Sequence, residues 1–240
     1  MLRDYQKKAL KDLYRWFETH EGHPCLVLPT GAGKSYIIAE LCKDAIQNWP
    51  ETRILMLTHV KELIEQNAGK LRLHWPNAPL GIFSAGIGRK ELGEPITFAG
   101  IQSIRNHEVG PIDLCIIDEC HLVSHKAEGT YRSFLKRLQE LNPNLRVIGL
   151  TATPFRMGHG LITDAPALFD DLIEPITIEE LQRQGYLADL RSKVTRSKLS
   201  ADGVHKRGGE YIEKELQQAV DIAAKTEAVI EEVISLAEFR

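Results

Sequence analysis

Two short strings in this chain carry residue types that can hold and cleave a phosphate anhydride. The first is Leu28-Pro29-Thr30-Gly31-Ala32-Gly33-Lys34-Ser35. Gly31 and Gly33 let a turn curl until several N–H groups converge on one anion, and a helix starting beside them adds the positive end of its dipole. Residues Pro29, Thr30 and Ala32 complete that cradle. Lys34 can reach the β- and γ-phosphates, and the Ser35 hydroxyl can ligate Mg²⁺. The second string is Asp118-Glu119, followed by Cys120 and His121. Asp118 can hold Mg²⁺ directly or through water, and Glu119 can orient and deprotonate a water that attacks the γ-phosphate. One departure stands out. The phosphate-loop pattern begins with Gly or Ala, and here it begins with Leu28.

Other strings are less specific. Cys120, His121 and His125 could hold zinc, but three local ligands fall one short of a closed site, and Asp118-Glu119 already accounts for the stretch. Thr151-Ala152-Thr153-Pro154 offers two hydroxyls at a strand end, which can link a nucleotide site to a second surface or form a plain turn. Arg89 and Lys90, near Gly86 and Gly88, read either as basic contacts or as a solvated charge pair.

The elements that position these residues follow from apolar periodicity. Residues 3–19 place Tyr5, Ala9, Leu10, Leu13, Trp16 and Phe17 on one helical face. The apolar runs at 25–28, 54–57, 80–83, 96–99, 114–117 and 146–150 predict strands buried on both faces. Helical spacing returns at 34–48, 60–73, 101–105 and 130–141. Strands alternating with helices predict an α/β fold, a doubly wound and mostly parallel sheet with helices on both faces. Ligands of such sheets sit at the carboxyl ends of the strands, where both chemical strings fall. Beyond residue 154 the pattern predicts a Gly-containing loop at 156–160, an edge strand, a helix at 178–184 and a polar, basic, exposed stretch at 190–210. A helix then runs over 211–238. The chain stops at Phe239-Arg240 without a breaker, so it reads as cut.

Composition bounds the rest. The chain has 240 residues, 43% of them hydrophobic, and a net charge of −3. That is enough for a sizeable core, and any nucleic-acid contact must come from a local surface. The four cysteines, Cys25, Cys42, Cys115 and Cys120, form no CxxC pair and read as reduced core thiols. No leader and no membrane-length apolar run is visible, so the expected setting is cytoplasmic.

In this order and spacing, PTGAGKS, DECH and TATP resemble motifs I, II and III of superfamily 2 helicases. Leu2-Arg3-Asp4-Tyr5-Gln6 is similar to that superfamily's Q motif, Leu57-Thr58-His59-Val60-Lys61-Glu62-Leu63 to motif Ia, and Gly100-Ile101-Gln102-Ser103-Ile104 to motif Ib. Closer still, His59–Leu63, Gly100–Ser103, Gly149–Arg156 and Gln184-Gly185-Tyr186-Leu187 resemble the bacterial RadD family of DNA-repair helicases, in which Leu also precedes PTGAGKS.

The resemblance implies a P-loop NTPase, the first of two RecA-like domains, over residues 1–190. Residues 191–240 would be a loop and helical linker toward a second domain absent from this chain. It further implies that Gln6, with Arg3, reads adenine, and that Thr30 to Ser35 cradle ATP. Asp118 and Ser35 would serve Mg²⁺, and Glu119 would act as base. His121, Thr151 and Thr153 would couple the nucleotide to a nucleic-acid track formed by Thr58, His59, Lys61, Gly100, Gln102 and Ser103. The implied function is an ATP-dependent DNA helicase or translocase in repair or recombination, working as a monomer. An RNA helicase is the rival enzyme reading. Lacking the arginine finger of a second domain, worth about 10³–10⁵ in rate, the chain alone is expected to bind nucleotide and turn it over weakly or act as a non-catalytic binding module.

Overall fold

The computed structural model describes residues 2–123, 129–156, 160–164, 167–189, 200–207, 210–221 and 223–237. His125 and the 190/191 domain boundary expected from the sequence lie outside them. The chain divides into two compact units, residues 1–187 and 188–240.

The first unit opens with helix α1 (Asp4–Thr19), followed by β1 (Pro24–Val27), α2 (Lys34–Asn48), β2 (Ile54–Thr58), α3 (Lys61–His74), β3 (Leu80–Ser84) and β4 (Arg89–Lys90). Then come β5 (Ile96–Gly100), α4 (Ile101–Ile104), β6 (Leu114–Asp118), a 3₁₀ turn (Cys120–Leu122), α5 (Thr130–Leu141) and β7 (Arg146–Thr151). It closes with β8 (Phe155–Arg156), β9 (Gly160–Leu161), β10 (Asp171–Ile173) and α6 (Ile178–Arg183). An eight-stranded sheet runs β10-β1-β7-β6-β2-β5-β3-β4, parallel throughout except for the β3–β4 pair.

Strand alternation divides the core cleanly. Leu26, Ile54, Met56, Ile116 and Ile148 face one layer, where they pack with α1, α2, α3 and α6. Cys25, Leu55, Leu57, Ile117 and Val147 face the other, against α4 and α5. Side chains of period two on a sheet sandwiched by helices give this division directly. The buried Leu28 belongs to the first layer, and its N–H donates to the Thr151 carbonyl at 2.9 Å. A leucine at the start of the phosphate loop therefore serves the core. Trp16 ties α1 to the far edge through Asp171, 3.0 Å from its indole nitrogen.

Some expectations change. Arg89 and Lys90 form an edge strand antiparallel to β3, and Arg89 is held by Glu91 at 2.6 Å, so the arginine is already paired. The loop expected near 156–160 is bounded by an antiparallel ribbon, β8 with β9, which the Leu161 N–H bond to Asp164 at 2.7 Å supports. All four cysteines are buried and free.

In the second unit, β11 (Lys206–Arg207) pairs antiparallel with β12 (Glu210–Tyr211), followed by α7 (Glu213–Val220) and α8 (Ala223–Ala237). The sequence predicts one helix over 211–238. The structure has two, because the backbone of Asp221 leaves the helical region after its N–H closes on Gln217. Among the described residues no helix is long and apolar enough to cross a membrane.

Candidate functional site

Because β6 and β7 insert between β1 and β2, the sheet gathers residues distant in sequence along one edge. The phosphate loop leaves β1, Asp118 ends β6, Thr151 ends β7, Thr58 ends β2 and Gly100 ends β5. Parallel strands ended in register present all of these on the same side of the sheet.

The phosphate loop is held from behind by α1. Tyr5 Oη donates to the Ala32 carbonyl at 2.8 Å, and Gln6 Nε2 donates to the same oxygen at 3.0 Å. Gln6 Oε1 meanwhile accepts from the Arg3 N–H at 2.9 Å. Thus Gln6 is buried and hooks the loop to the start of α1 by both ends of its amide. Gly33 has φ +80°, and a Cβ there would stand 2.7 Å from Gln6 Nε2, so this position requires glycine twice over.

Lys34 Nζ lies 3.3 Å from Glu119 Oε1. Glu119 has φ +52°, alone among the described non-glycine residues in the left-handed region. Such backbone costs roughly 1 kcal/mol or more, and here it coincides with a carboxylate turned toward the loop's lysine. The other Glu119 oxygen stands 3.4 Å from His121 Nδ1, which is 2.8 Å from Thr151 Oγ1. Thr151 Oγ1 in turn accepts from the Thr153 N–H at 3.0 Å. The polar contacts therefore run without a break from Lys34 through Glu119, His121 and Thr151 to Thr153.

Asp118 is buried, and desolvation pushes its carboxyl above the usual carboxylate range. Asn67 opposes that shift by donating to Oδ2 at 2.9 Å. Sequence reasoning missed Asn67. It sits on the apolar stripe of α3, three residues after Ile64 and four before Leu71, and an amide on such a stripe is the signal that was available. Gln66 of the same helix donates to Ser35 Oγ at 3.3 Å.

Farther along the edge, an open groove of about 380 Å³ is lined by His59, Lys61, Gly100, Gln102 and Ser103, with Ser84 and Gly86 added by the structure. Ser103 Oγ accepts from the Ala85 N–H at 2.9 Å. Thr58 does not join this lining. It is fully buried, and its hydroxyl lies 3.4 Å from the Val60 N–H as an acceptor. Of the zinc alternative, His125 lies outside the described residues, and Cys120 is buried with its Sγ 3.4 Å from Cys25 Sγ.

A sheet of this order, with a glycine-bearing loop on β1 and a carboxylate pair ending β6, is an α/β P-loop NTPase fold of the RecA-like kind. Solved helicases share it. The crystal structure of the bacteriophage T4 UvsW helicase superposes with a TM-score of 0.55 at 20% identity, over 72% of this chain and 60% of that one. The Pyrococcus furiosus Hef helicase domain does so at 0.55 and 21%, over 76% and 39%.

Residues 1–156 match the family described as the type III restriction enzyme, res subunit, and the chain belongs to that family. It carries the N-terminal motor domain of a superfamily 2 helicase. The chain is 25% identical over 213 residues to the putative ATP-dependent helicase IRC3 of Saccharomyces cerevisiae, covering 84% of this chain and 30% of that protein. It is 26% identical to the type I restriction enzyme EcoAI endonuclease subunit of Escherichia coli, over 83% of this chain and 24% of that one. The chain thus spans a third or less of the length of these relatives.

Proposed function

We propose that this chain is the first motor domain of an ATP-dependent DNA helicase or translocase, binding Mg-ATP at the phosphate loop and the DNA backbone in the groove beside Lys61. The observation that carries the reading is the unbroken polar path from Lys34 through Glu119, His121 and Thr151. The ordinary purpose of such a path is to let a γ-phosphate change contacts at a distant surface.

Each step falls to residues of this chain. Backbone N–H groups of residues 30–35 and the N-terminus of α2 bind the phosphates. Lys34 exchanges Glu119 for the β- and γ-phosphates. Glu119, released, accepts a proton from the attacking water. His121 and Thr151 then feel the displacement of Glu119 through their shared contacts. The residues fit Mg²⁺, since one buried carboxylate and one hydroxyl beside substrate phosphates suit a cation that keeps much of its water. Ser35 and Asp118 would hold it, and bound there it would neutralise charge on the phosphates. His59, Lys61, Gln102 and Ser103 offer a cation, an amide and a hydroxyl, groups that contact phosphates and sugars without reading bases.

DNA is favoured over RNA by the restriction-enzyme family and by the segments similar to RadD helicases, which also suggest a role in repair. The RNA reading has a relative too, the ATP-dependent RNA helicase DHX58 of mouse, 25% identical over 67% of this chain. A second RecA-like domain would complete the ATP site in the whole protein, which would work as a monomer, and this chain alone would hydrolyse slowly.

The test is ATP hydrolysis by the longest natural form with no polymer, single-stranded DNA, duplex DNA or RNA, beside a Lys34→Ala control. Stimulation by DNA and its loss in the control are expected. Stimulation by RNA alone would overturn the DNA assignment, and none by any polymer would overturn the motor reading.

A further inference from the structure

The segment Gln184-Gly185-Tyr186-Leu187 lies about 30 residues beyond the last motif of the site, yet it folds back onto the phosphate loop. Its route is locally determined. Thr177 and Glu180 form a capping box: the Thr177 N–H donates to the Glu180 carboxylate at 2.9 Å, and Thr177 Oγ1 accepts from the Glu180 N–H at 3.2 Å. The box fixes the start of α6, and the buried Leu181 pins it to the core. The helix ends through Gly185 at φ +72°, with the Tyr186 N–H donating to the Leu181 carbonyl at 2.8 Å. A left-handed glycine with that six-to-one bond turns the chain sharply back.

Beyond the turn, Tyr186 and Leu187 are aimed at the nucleotide site. The Arg3 guanidinium lies over the Tyr186 ring, 4.3 Å from its centroid. Tyr186 also meets Tyr5 edge to face at 5.4 Å, the same Tyr5 whose hydroxyl holds the Ala32 carbonyl. A Cβ at Gly31 would stand 2.8 Å from Leu187 Cδ2, so Leu187 abuts the loop itself. Arg3 remains exposed, and its backbone N–H donates to Gln6. Tyr186 therefore backs the guanidinium of an exposed arginine, whose Nη1 also donates to Tyr5 Oη at 3.3 Å.

We propose that Tyr186 is a positioning residue for nucleotide binding: it holds Arg3 as a flat, cationic platform on which the base of the bound nucleotide stacks. This rests on the reading of residues 30–35 as an ATP site. A guanidinium on an exposed, four-bond side chain samples many rotamers, and stacking on Tyr186, together with the bond to Tyr5 Oη, reduces that freedom before the base arrives. Stacking of this kind does not depend on which base is bound, so the contribution is to affinity for a base as such.

The test compares ATP with inorganic tripolyphosphate, which has the phosphates and no base, binding to the 240-residue chain. In Tyr186→Ala the ATP dissociation constant rises about three- to thirty-fold, while that of tripolyphosphate stays within about twofold of the parent. Tyr186→Phe keeps the ring and restores ATP affinity, and Arg3→Ala matches Tyr186→Ala without adding to it in the double variant. Lys34→Ala weakens both ligands, marking the phosphate site independently. Equal ATP affinity of Tyr186→Ala and parent would overturn the inference and leave the ATP reading standing. Parallel losses of ATP and tripolyphosphate would also overturn it, because the segment would then support the loop and not the base. Failure of the parent chain to bind ATP would overturn both.

Discussion

Lys34 and Glu119, 85 positions apart in the chain, stand 3.3 Å from each other across the carboxyl edge of the sheet. The lysine that would bind phosphate is thus paired with the carboxylate that would activate water, and each is held until the other is needed. In Glu119→Gln the ammonium is released and one negative charge leaves the phosphate site. The ATP dissociation constant should fall several-fold, while hydrolysis by the whole protein drops by about 10²–10⁴, the span of general-base catalysis. Equilibrium binding and single-turnover hydrolysis on the same variant check both signs. Weaker ATP binding would contradict the pairing.

Asp118 is costly to keep ionised. Burial raises its carboxyl above the usual range despite the bond from Asn67, so the folded state holds this proton more tightly than the unfolded chain does. The resulting penalty on stability is fully present above the folded value and vanishes as pH falls below the unfolded one. Asp118→Asn removes it and keeps an acceptor for Asn67. The variant should melt higher than the parent at pH 8, by about 2–4 °C for each kcal/mol relieved, with the gap closing toward pH 4. Melting curves from pH 4 to 8 decide it, and a gap independent of pH would exclude Asp118 as its source.

Thr151 serves two partners, His121 at 2.8 Å and the Thr153 N–H at 3.0 Å, and it is fully buried. Replacement by valine keeps the β-branched shape that β7 requires and removes both bonds, at a stability cost of about 1–3 kcal/mol. If these contacts carry nucleotide state outward, Thr151→Val should keep basal ATP hydrolysis within about threefold and lose most of the stimulation by DNA. Equal loss of basal and stimulated rates would place Thr151 in the chemistry instead.

Gly149 packs where no side chain fits. A Cβ on it would lie 2.6 Å from the Phe169 ring and 2.7 Å from Cys120 Sγ, next to the Asp118-Glu119 turn. Gly149→Ala must push one of these buried neighbours, so unfolding in urea should show a loss of about 1–3 kcal/mol or more. ATP hydrolysis should fall with it if the neighbour displaced is Cys120, which adjoins Glu119. Retention of full stability would mean that the Phe169 side yields freely.

Local pattern was enough to locate the central strands and the fold class. Continuous apolar runs such as Ile54–Leu57 and Leu114–Ile117 can satisfy only strands covered on both faces, and they became β2 and β6. The loop at residues 28–35 and the pair Asp118-Glu119 were legible as candidates because each is a local string between a strand and a helix or turn, and the structure brings them together at one edge. Legibility ended where partners come from distant elements. Asn67 reads as one polar residue on a helix, and only the docking of α3 against the sheet brings it to Asp118. Thr58 sits in a string that pointed to a surface, yet it is the last residue of β2, a strand covered on both faces, and it is fully buried. Which residues surround a side chain depends on strand order and on where the chain turns, and neither is written in local periodicity. The insertion of β6 and β7 between β1 and β2 placed Glu119 against Lys34, and the reversal at Gly185 placed Tyr186 against Arg3.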